Sequence, residues 1–135
     1  MKEPTGLESA RRKAAAYSHN VKKTVELLNE ASVKAEKEKT KVEKVWNELG
    51  MLIKMIRAWT RGEYKEMPTR TIITGLAALL YFVNPFDVIP DFIIGIGYLD
   101  DVTIISFVFN SLRKDVQHFA EWDKLTRNEE DFISI

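Results

Sequence analysis

The first half of the chain carries a seven-residue repeat of apolar positions. Counted in sevens from Leu7, all eight positions are apolar, and in the row counted from Ala10 six of eight are apolar. Lys, Arg and Glu lie between them. The two rows are Leu7, Ala14, Val21, Leu28, Ala35, Val42, Leu49 and Ile56, and Ala10, Tyr17, Thr24, Ala31, Glu38, Val45, Leu52 and Trp59. A repeat of this length predicts helices that pack through one apolar stripe, as in a coiled coil.

The sequence leaves open whether residues 7–59 form one helix or two. They contain no proline and a single glycine, Gly50, so an unbroken helix would be a rod of roughly 80 Å. The repeat weakens between Ala31 and Glu38, and a break there would fold the segment into an antiparallel hairpin. Because one helix cannot bury such a stripe alone, residues 7–59 predict self-association or binding to a helical partner.

Two further apolar stretches follow the repeat. Residues 71–83 contain no charged residue and predict a helix buried on nearly all sides, either in a protein core or in lipid. Before them, Arg61 and Gly62 end the heptad segment, and Pro68 suits the first turn of the new helix. From Val102, apolar residues recur at three- and four-residue spacing, which predicts a single helix to about Leu125.

Residues 84–101 separate the two apolar stretches. Their two prolines and two glycines, Pro85, Pro90, Gly95 and Gly97, forbid one continuous helix. Asn84 is predicted to be the N-cap of a short helix that begins at Pro85, and Asp100 the N-cap of the helix that follows. We therefore expect the two apolar helices to turn back on each other.

The predicted fold class is all-α, because no segment alternates with the period of a strand. We expect a helical bundle or hairpin with a long, heptad-patterned N-terminal segment. Three parts are predicted: the heptad-patterned segment 1–62, a helical domain with the apolar hairpin at 63–127, and an acidic tail at 128–135.

Residues 71–83 are too short to cross a bilayer, since thirteen helical residues span roughly 20 Å and the hydrocarbon core is about 30 Å thick. Extension to Leu99 brings in two aspartates, each of which costs about 2.5–3.5 kcal/mol at mid-bilayer. Two interpretations remain. The apolar helices form the core of a helical domain, or they form a shallow hairpin in one leaflet.

Basic residues on both sides of the hairpin favour contact with a membrane. They would meet the anionic cytoplasmic leaflet, where each adds about 1 kcal/mol of attraction. These residues are Lys54, Arg57, Arg61, Lys65 and Arg70 before the first apolar helix, and Arg113 and Lys114 after the second. The alternative is a soluble cytoplasmic scaffold in which the heptad segment folds over the apolar helices.

The composition of the chain restricts the kinds of site and partner that it can have. Residues 1–70 hold 16 Lys or Arg and 10 Asp or Glu, whereas residues 71–135 hold 4 and 10, so opposite charges of +6 and −6 lie in the two halves. That split predicts an interaction surface at one end or attraction between the halves.

The absence of cysteine excludes disulfides and thiolate sites, and no cofactor is expected. The charged start excludes a secretory signal peptide, and glutamates among the lysines argue against nucleic-acid binding.

Four aspartates lie close together in the chain and are candidates for a metal site: Asp87, Asp91, Asp100 and Asp101. Carboxylates suit Mg²⁺ or Ca²⁺, or a proton relay if they are shielded from water. Their spacing does not match an EF-hand, and capping of helix starts explains Asp87 and Asp100 well. No arrangement of a nucleophile and a base is visible, so we predict no catalytic residue and no enzyme.

The string YFVNPFDVIPDFIIGIGYLDD, residues 81–101 and hereafter the motif, resembles the core motif of the YkvA-like family. The matching positions are Tyr81, Pro85, Asp87, Pro90, Asp91, Gly97, Tyr98, Asp100 and Asp101. With its flanking helices the resemblance covers about residues 64–112, so the heptad segment lies outside it. The resemblance implies a compact helical unit of unknown function that is associated with membranes, and it brings no catalytic mechanism.

These observations favour a non-enzymatic helical protein on the cytoplasmic face of a membrane, which self-associates or binds partners through residues 7–59. The alternatives are the soluble scaffold or adaptor, and a metal- or proton-dependent site at the aspartates.

Overall fold

The computed structural model describes residues 7–84 and 101–133 of the chain. In these residues every regular element is helical and no strand occurs, which confirms the all-α class. The helices are α1 (Leu7–Ser18), α2 (Val21–Lys37), a short 3₁₀ helix (Glu43–Val45), α3 (Trp46–Thr60), α4 (Thr69–Val83), α5 (Asp101–Ser111) and α6 (Arg113–Ile133).

The heptad segment is not a rod, because it breaks first between α1 and α2. Asn20 is the N-cap of α2, and its side-chain oxygen accepts a hydrogen bond from the Lys23 backbone N–H. Across the break, Thr24 donates its hydroxyl proton to the Tyr17 carbonyl. This bond satisfies a buried polar side chain in the apolar row. The break was not predicted from the repeat.

The second break lies where the repeat weakens. Helix α2 ends at Lys37, and α3 begins at Trp46 after the 3₁₀ turn. Val42 and Val45, in the connection, remain buried. Helices α2 and α3 contact each other, so the chain folds back at this point, as the hairpin alternative required.

The chain's own helices cover the heptad stripe. Fifteen of the sixteen row positions are buried or half-buried, and the exception is Val21, which is 65% exposed at the start of α2. Packing of one copy against another is therefore not needed to hide the stripe, and the described residues do not show a coiled coil.

Helix α3 ends at Thr60, as Arg61 and Gly62 predicted. Gly62 has a φ of +76°, in the left-handed region that glycine adopts at low cost. Its N–H donates to the Trp59 carbonyl, and the Glu63 N–H donates to the Ala58 carbonyl. These two bonds form a Schellman motif, which satisfies carbonyls left open at the helix end.

Helix α4 is the centre of the molecule. Eleven of its fifteen residues are buried, and it packs against α1, α2, α3 and α5, with α1 making the largest contact. Ala10 and Ala14 of α1 are fully buried, and such small side chains let two helices approach closely. The uncharged stretch is thus a core helix, and the helices on both sides of residue 62 share one core.

The prediction of one helix from Val102 to about Leu125 is wrong, because Leu112 interrupts it. The Ser111 hydroxyl donates to the Phe107 carbonyl one turn earlier, a bond that bends helices. At the same place the Leu112 N–H is shared between two carbonyls, those of Val108 and Phe109. Helix α6 then continues to Ile133, through most of the segment expected to be an acidic tail.

Candidate functional site

The motif begins inside the core. Tyr81 lies on α4 and is 2% exposed. Asp101 is the first residue of α5. The remaining predicted positions lie outside the described residues: Pro85, Asp87, Pro90, Asp91, Gly97, Tyr98 and Asp100.

The chain enters the central part of the motif at the C-terminal end of α4. Asn84 is the C-cap of this helix, and its N–H donates to the Leu80 carbonyl. The predicted role of Asn84 as an N-cap concerns the next segment, which lies outside the described residues.

Lys34 of α2 contacts the same C-terminal end of α4. Its ammonium donates a hydrogen bond to the Phe82 carbonyl and lies 5.1 Å from the centroid of the Phe82 ring. A cation at a helix C-terminus is stabilised by the unsatisfied carbonyls there and by the dipole. Lys34 therefore fixes α2 to the point where the chain leaves α4.

Two more lysines lie at this end, and together Lys13, Lys34 and Lys37 are called the lysine cluster. Lys13 lines a recess of about 140 Å³ with Tyr17, Leu27, Glu30, Leu80, Val83 and Asn84. Lys34 and Lys37 border a shallower depression with Val33 and Val83. Val33 is 56% exposed, so apolar and cationic side chains share this surface.

In the sequence these lysines lie between the heptad positions, where a solvated helix surface is expected. Lys34 and Phe82 are 48 residues apart, so no local pattern shows that they meet. The excess of positive charge in residues 1–70 was the one available signal.

The opposite end of α4 is held by α6. The Thr71 hydroxyl donates to Asp115, and Lys54 of α3 forms a 2.7 Å ion pair with Asp123, which is 8% exposed. Arg70 and Arg113, two of the predicted membrane-facing residues, are exposed near this end. Lys54 thus has a partner within the protein and stabilises the packing of α3 on α6.

An aromatic cluster lies beside these polar contacts. Tyr64 packs edge-on against Phe119 with ring centroids 5.2 Å apart, and Trp122 lies 5.0 Å from Tyr64. Burial raises the pKa of the Tyr64 hydroxyl, and the carboxylates of Glu66 and Asp115 raise it further. The hydroxyl is therefore neutral at physiological pH and suited to packing.

Among the residues whose side chains the structure describes, no group of acidic or histidine side chains could hold a metal ion. The four metal candidates Asp87, Asp91, Asp100 and Asp101 are not among those residues. The described part of the chain also contains no helix with the length and apolar character needed to cross a membrane.

Comparison with known proteins gives two matches. The family described as "Protein of unknown function (DUF1232)" matches residues 71–107, from α4 through the motif into α5. A protein of Bacillus subtilis (strain 168), described as "Uncharacterized membrane protein YkvA", is 30% identical over 101 residues, which are 75% of this chain and 95% of that protein. No solved structure matches the chain significantly.

Proposed function

This chain belongs to the YkvA-like family of unknown function, and from that membership we propose that it is a non-enzymatic helical protein attached to the cytoplasmic face of a membrane. One observation carries the proposal: the chain is similar over nearly the whole length of a relative that is described as a membrane protein.

The proposed attachment does not use α4. Its apolar side chains are buried against α1, α2, α3 and α5, and lipid would have to replace those contacts. Peripheral binding through the molecular surface requires no such rearrangement. We therefore place the membrane contact at a surface where apolar and cationic side chains occur together.

The end of α4 that carries the lysine cluster has this character. Val33, Val83, Lys34 and Lys37 border one depression together with Glu30. Residues 85–100, which follow α4 in the chain, have a largely apolar sequence. Apolar burial at the interface combined with attraction of lysines to anionic lipid is the usual basis of peripheral binding. Each lysine near the surface adds about 1 kcal/mol, and the anionic lipid of the cytoplasmic leaflet is the reason for the proposed side.

Vesicle flotation tests the proposal. The full chain should float with vesicles that contain anionic phosphatidylglycerol and much less with pure phosphatidylcholine, and high salt should reduce the floating fraction. Lys37→Glu should weaken flotation, whereas Lys22→Glu, on the exposed other end of α2, is the matched control. Protein that stays in the bottom fraction with both vesicle types would contradict membrane attachment.

The adaptor function is the second candidate, supported by an exposed stripe on α2. Val21, Val25 and Val33 are 65%, 41% and 56% exposed and lie on one face of the helix at four- and eight-residue spacings. Because the heptad stripe is buried within the chain, self-association or partner binding through residues 7–59 would use this valine stripe. Sedimentation of wild type and Val25→Lys tests self-association through the valine stripe. A wild-type dimer that is lost in Val25→Lys would support it. A wild type that remains a monomer at high concentration would argue against self-association.

A further inference from the structure

Helices α2 and α3 border a groove that the packing of the chain leaves open. Its volume is about 420 Å³, within the range of small-molecule sites. Ala35, Leu49 and Ile53 supply apolar walls, and Trp46 lies at one end with Glu36. The groove contains far more apolar than polar surface, so it suits a slender apolar group.

The floor of the groove contains a glycine that the fold does not require. Gly50 lies within α3, where glycine is less favourable than alanine. No atom lies within 4 Å of the place that a Cβ would occupy. Packing inside the chain therefore does not explain why this position is a glycine. An apolar ligand lying over α3 would explain it, because a side chain here would occupy the space of the ligand.

The other end of the groove is cationic. Arg57 lines the groove and also a smaller neighbouring recess, which Arg61 lines too. Lys54 also lines the groove, and its ammonium pairs with Asp123. The Arg57 guanidinium donates to the Ser32 hydroxyl at 3.4 Å, which keeps it at the mouth of the groove. Two guanidinium groups near this end favour a carboxylate there, since arginine binds carboxylates through paired hydrogen bonds. A bound carboxylate would compete with Glu63, whose oxygen lies 4.0 Å from the Arg61 guanidinium.

We propose that this groove binds a single-chain anionic amphiphile, a fatty acid. The apolar chain lies over Gly50 between Ala35 and Ile53, and the carboxylate contacts Arg57 and Arg61. The cationic side chains of Lys54, Arg57 and Arg61 lie toward the C-terminal end of α3. Together with the apolar floor at Gly50 they select this occupant. The groove shares no lining residue with the surface that carries the lysine cluster, so this binding site is separate from the proposed membrane attachment.

Monomeric laurate, brominated near the end of its chain, is the probe, used with the full chain and without any bilayer. Bromine quenches tryptophan fluorescence at contact, and Trp46 lies in the groove. We expect saturable quenching below the concentration at which laurate forms micelles, and loss of most of that quenching in Trp46→Phe, which keeps Trp59 and Trp122. The matching neutral alcohol should bind about tenfold more weakly, because it forms no charge-assisted hydrogen bonds.

Two pairs of variants locate the ligand. Gly50→Leu fills the floor and should weaken laurate binding about tenfold or more, whereas Gly50→Ala adds one methyl group and should retain a larger share of the affinity. Arg61→Gln should weaken laurate binding and leave binding of the alcohol unchanged, and Lys22→Gln, remote from the groove, is its control. Circular dichroism of each variant establishes that it is folded.

Three outcomes would overturn the inference. The first is the absence of saturable quenching, and the second is full laurate affinity in folded Gly50→Leu. The third is a wild-type dimer that Gly50→Leu converts to a monomer, because the groove would then bind a second copy of the chain. Because no bilayer is present, a negative result here is distinct from failure to float with vesicles.

Discussion

Helices α4 and α5 have similar apolar sequences but different surroundings. Four helices pack along α4, a fifth, α6, accepts a hydrogen bond from Thr71 in the first turn of α4, and eleven of the fifteen residues of α4 are buried. In α5, Ile104, Ile105 and Val108 are buried, while Phe107 and Phe109 remain half-exposed. An uncharged helix thus indicates burial without identifying what buries it. In this protein the helices of the preceding heptad segment pack against α4, so its apolar side chains contact protein and not lipid.

The largest expected effect comes from truncating one phenylalanine in each of these helices. Phe82 of α4 is fully buried, so Phe82→Ala should lower the free energy of unfolding by about 3–5 kcal/mol. Phe109→Ala removes a half-exposed ring and should cost clearly less. Urea unfolding of both variants measures the difference, and equal losses would mean that the two helices are equally enclosed.

The close contact of α1 with α4 predicts the next effect. Ala14 is fully buried, whereas Ala16, on the same helix, is exposed. Ala14→Leu should overpack the interface and destabilise the protein by about 1–3 kcal/mol. Ala16→Leu should leave the thermal midpoint nearly unchanged. If both variants melt like wild type, α1 does not cover α4 as described.

Several boundaries of the helices that pack around α4 could be predicted from individual residues. Gly62 and Pro68 predicted the boundaries of α3 and α4, and the weak repeat near Glu38 predicted the fold-back. The break at Asn20 was missed because its cap stands within an intact apolar repeat. The interruption at Leu112 depends on the Ser111 hydroxyl, whose bond to Phe107 does not disturb the hydrophobic spacing.

The site was less predictable than the fold. The motif indicated the family, but of its nine predicted positions only Tyr81 and Asp101 lie in the described residues. Lys34 acquires its role because folding brings α2 to the end of α4, a contact between distant parts of the chain. The repeat likewise specified an apolar partner for residues 7–59 without specifying that the partner is α4 of the same chain.

A smaller effect is expected at the end of α4. Lys34→Met retains an apolar side chain over Phe82 but removes the hydrogen bond to its carbonyl and the cation above its ring. We expect a loss of about 1 kcal/mol in unfolding free energy. Lys37→Met, on the exposed surface nearby, is the control and should have almost no effect. Equal stability of Lys34→Met and wild type would remove the capping role.

The smallest predicted effect concerns Tyr64 at alkaline pH. Its pKa is raised in the folded protein above the ordinary value of 10.0, so above pH 10.0 the unfolded chain loses this proton first. Stability therefore decreases as pH rises from 10.0 through the folded pKa. Tyr64→Phe should show a shallower loss of stability in that range. The same alkaline slope in both proteins would contradict this contribution.

Hydrogen–deuterium exchange of residues 71–83 tests the enclosure of α4 most directly. In buffer without lipid or detergent, these amides should be among the slowest to exchange in the chain, and anionic vesicles should leave their rates unchanged. Fast exchange that becomes slow only when vesicles are added would show that lipid, and not the chain's own helices, covers α4.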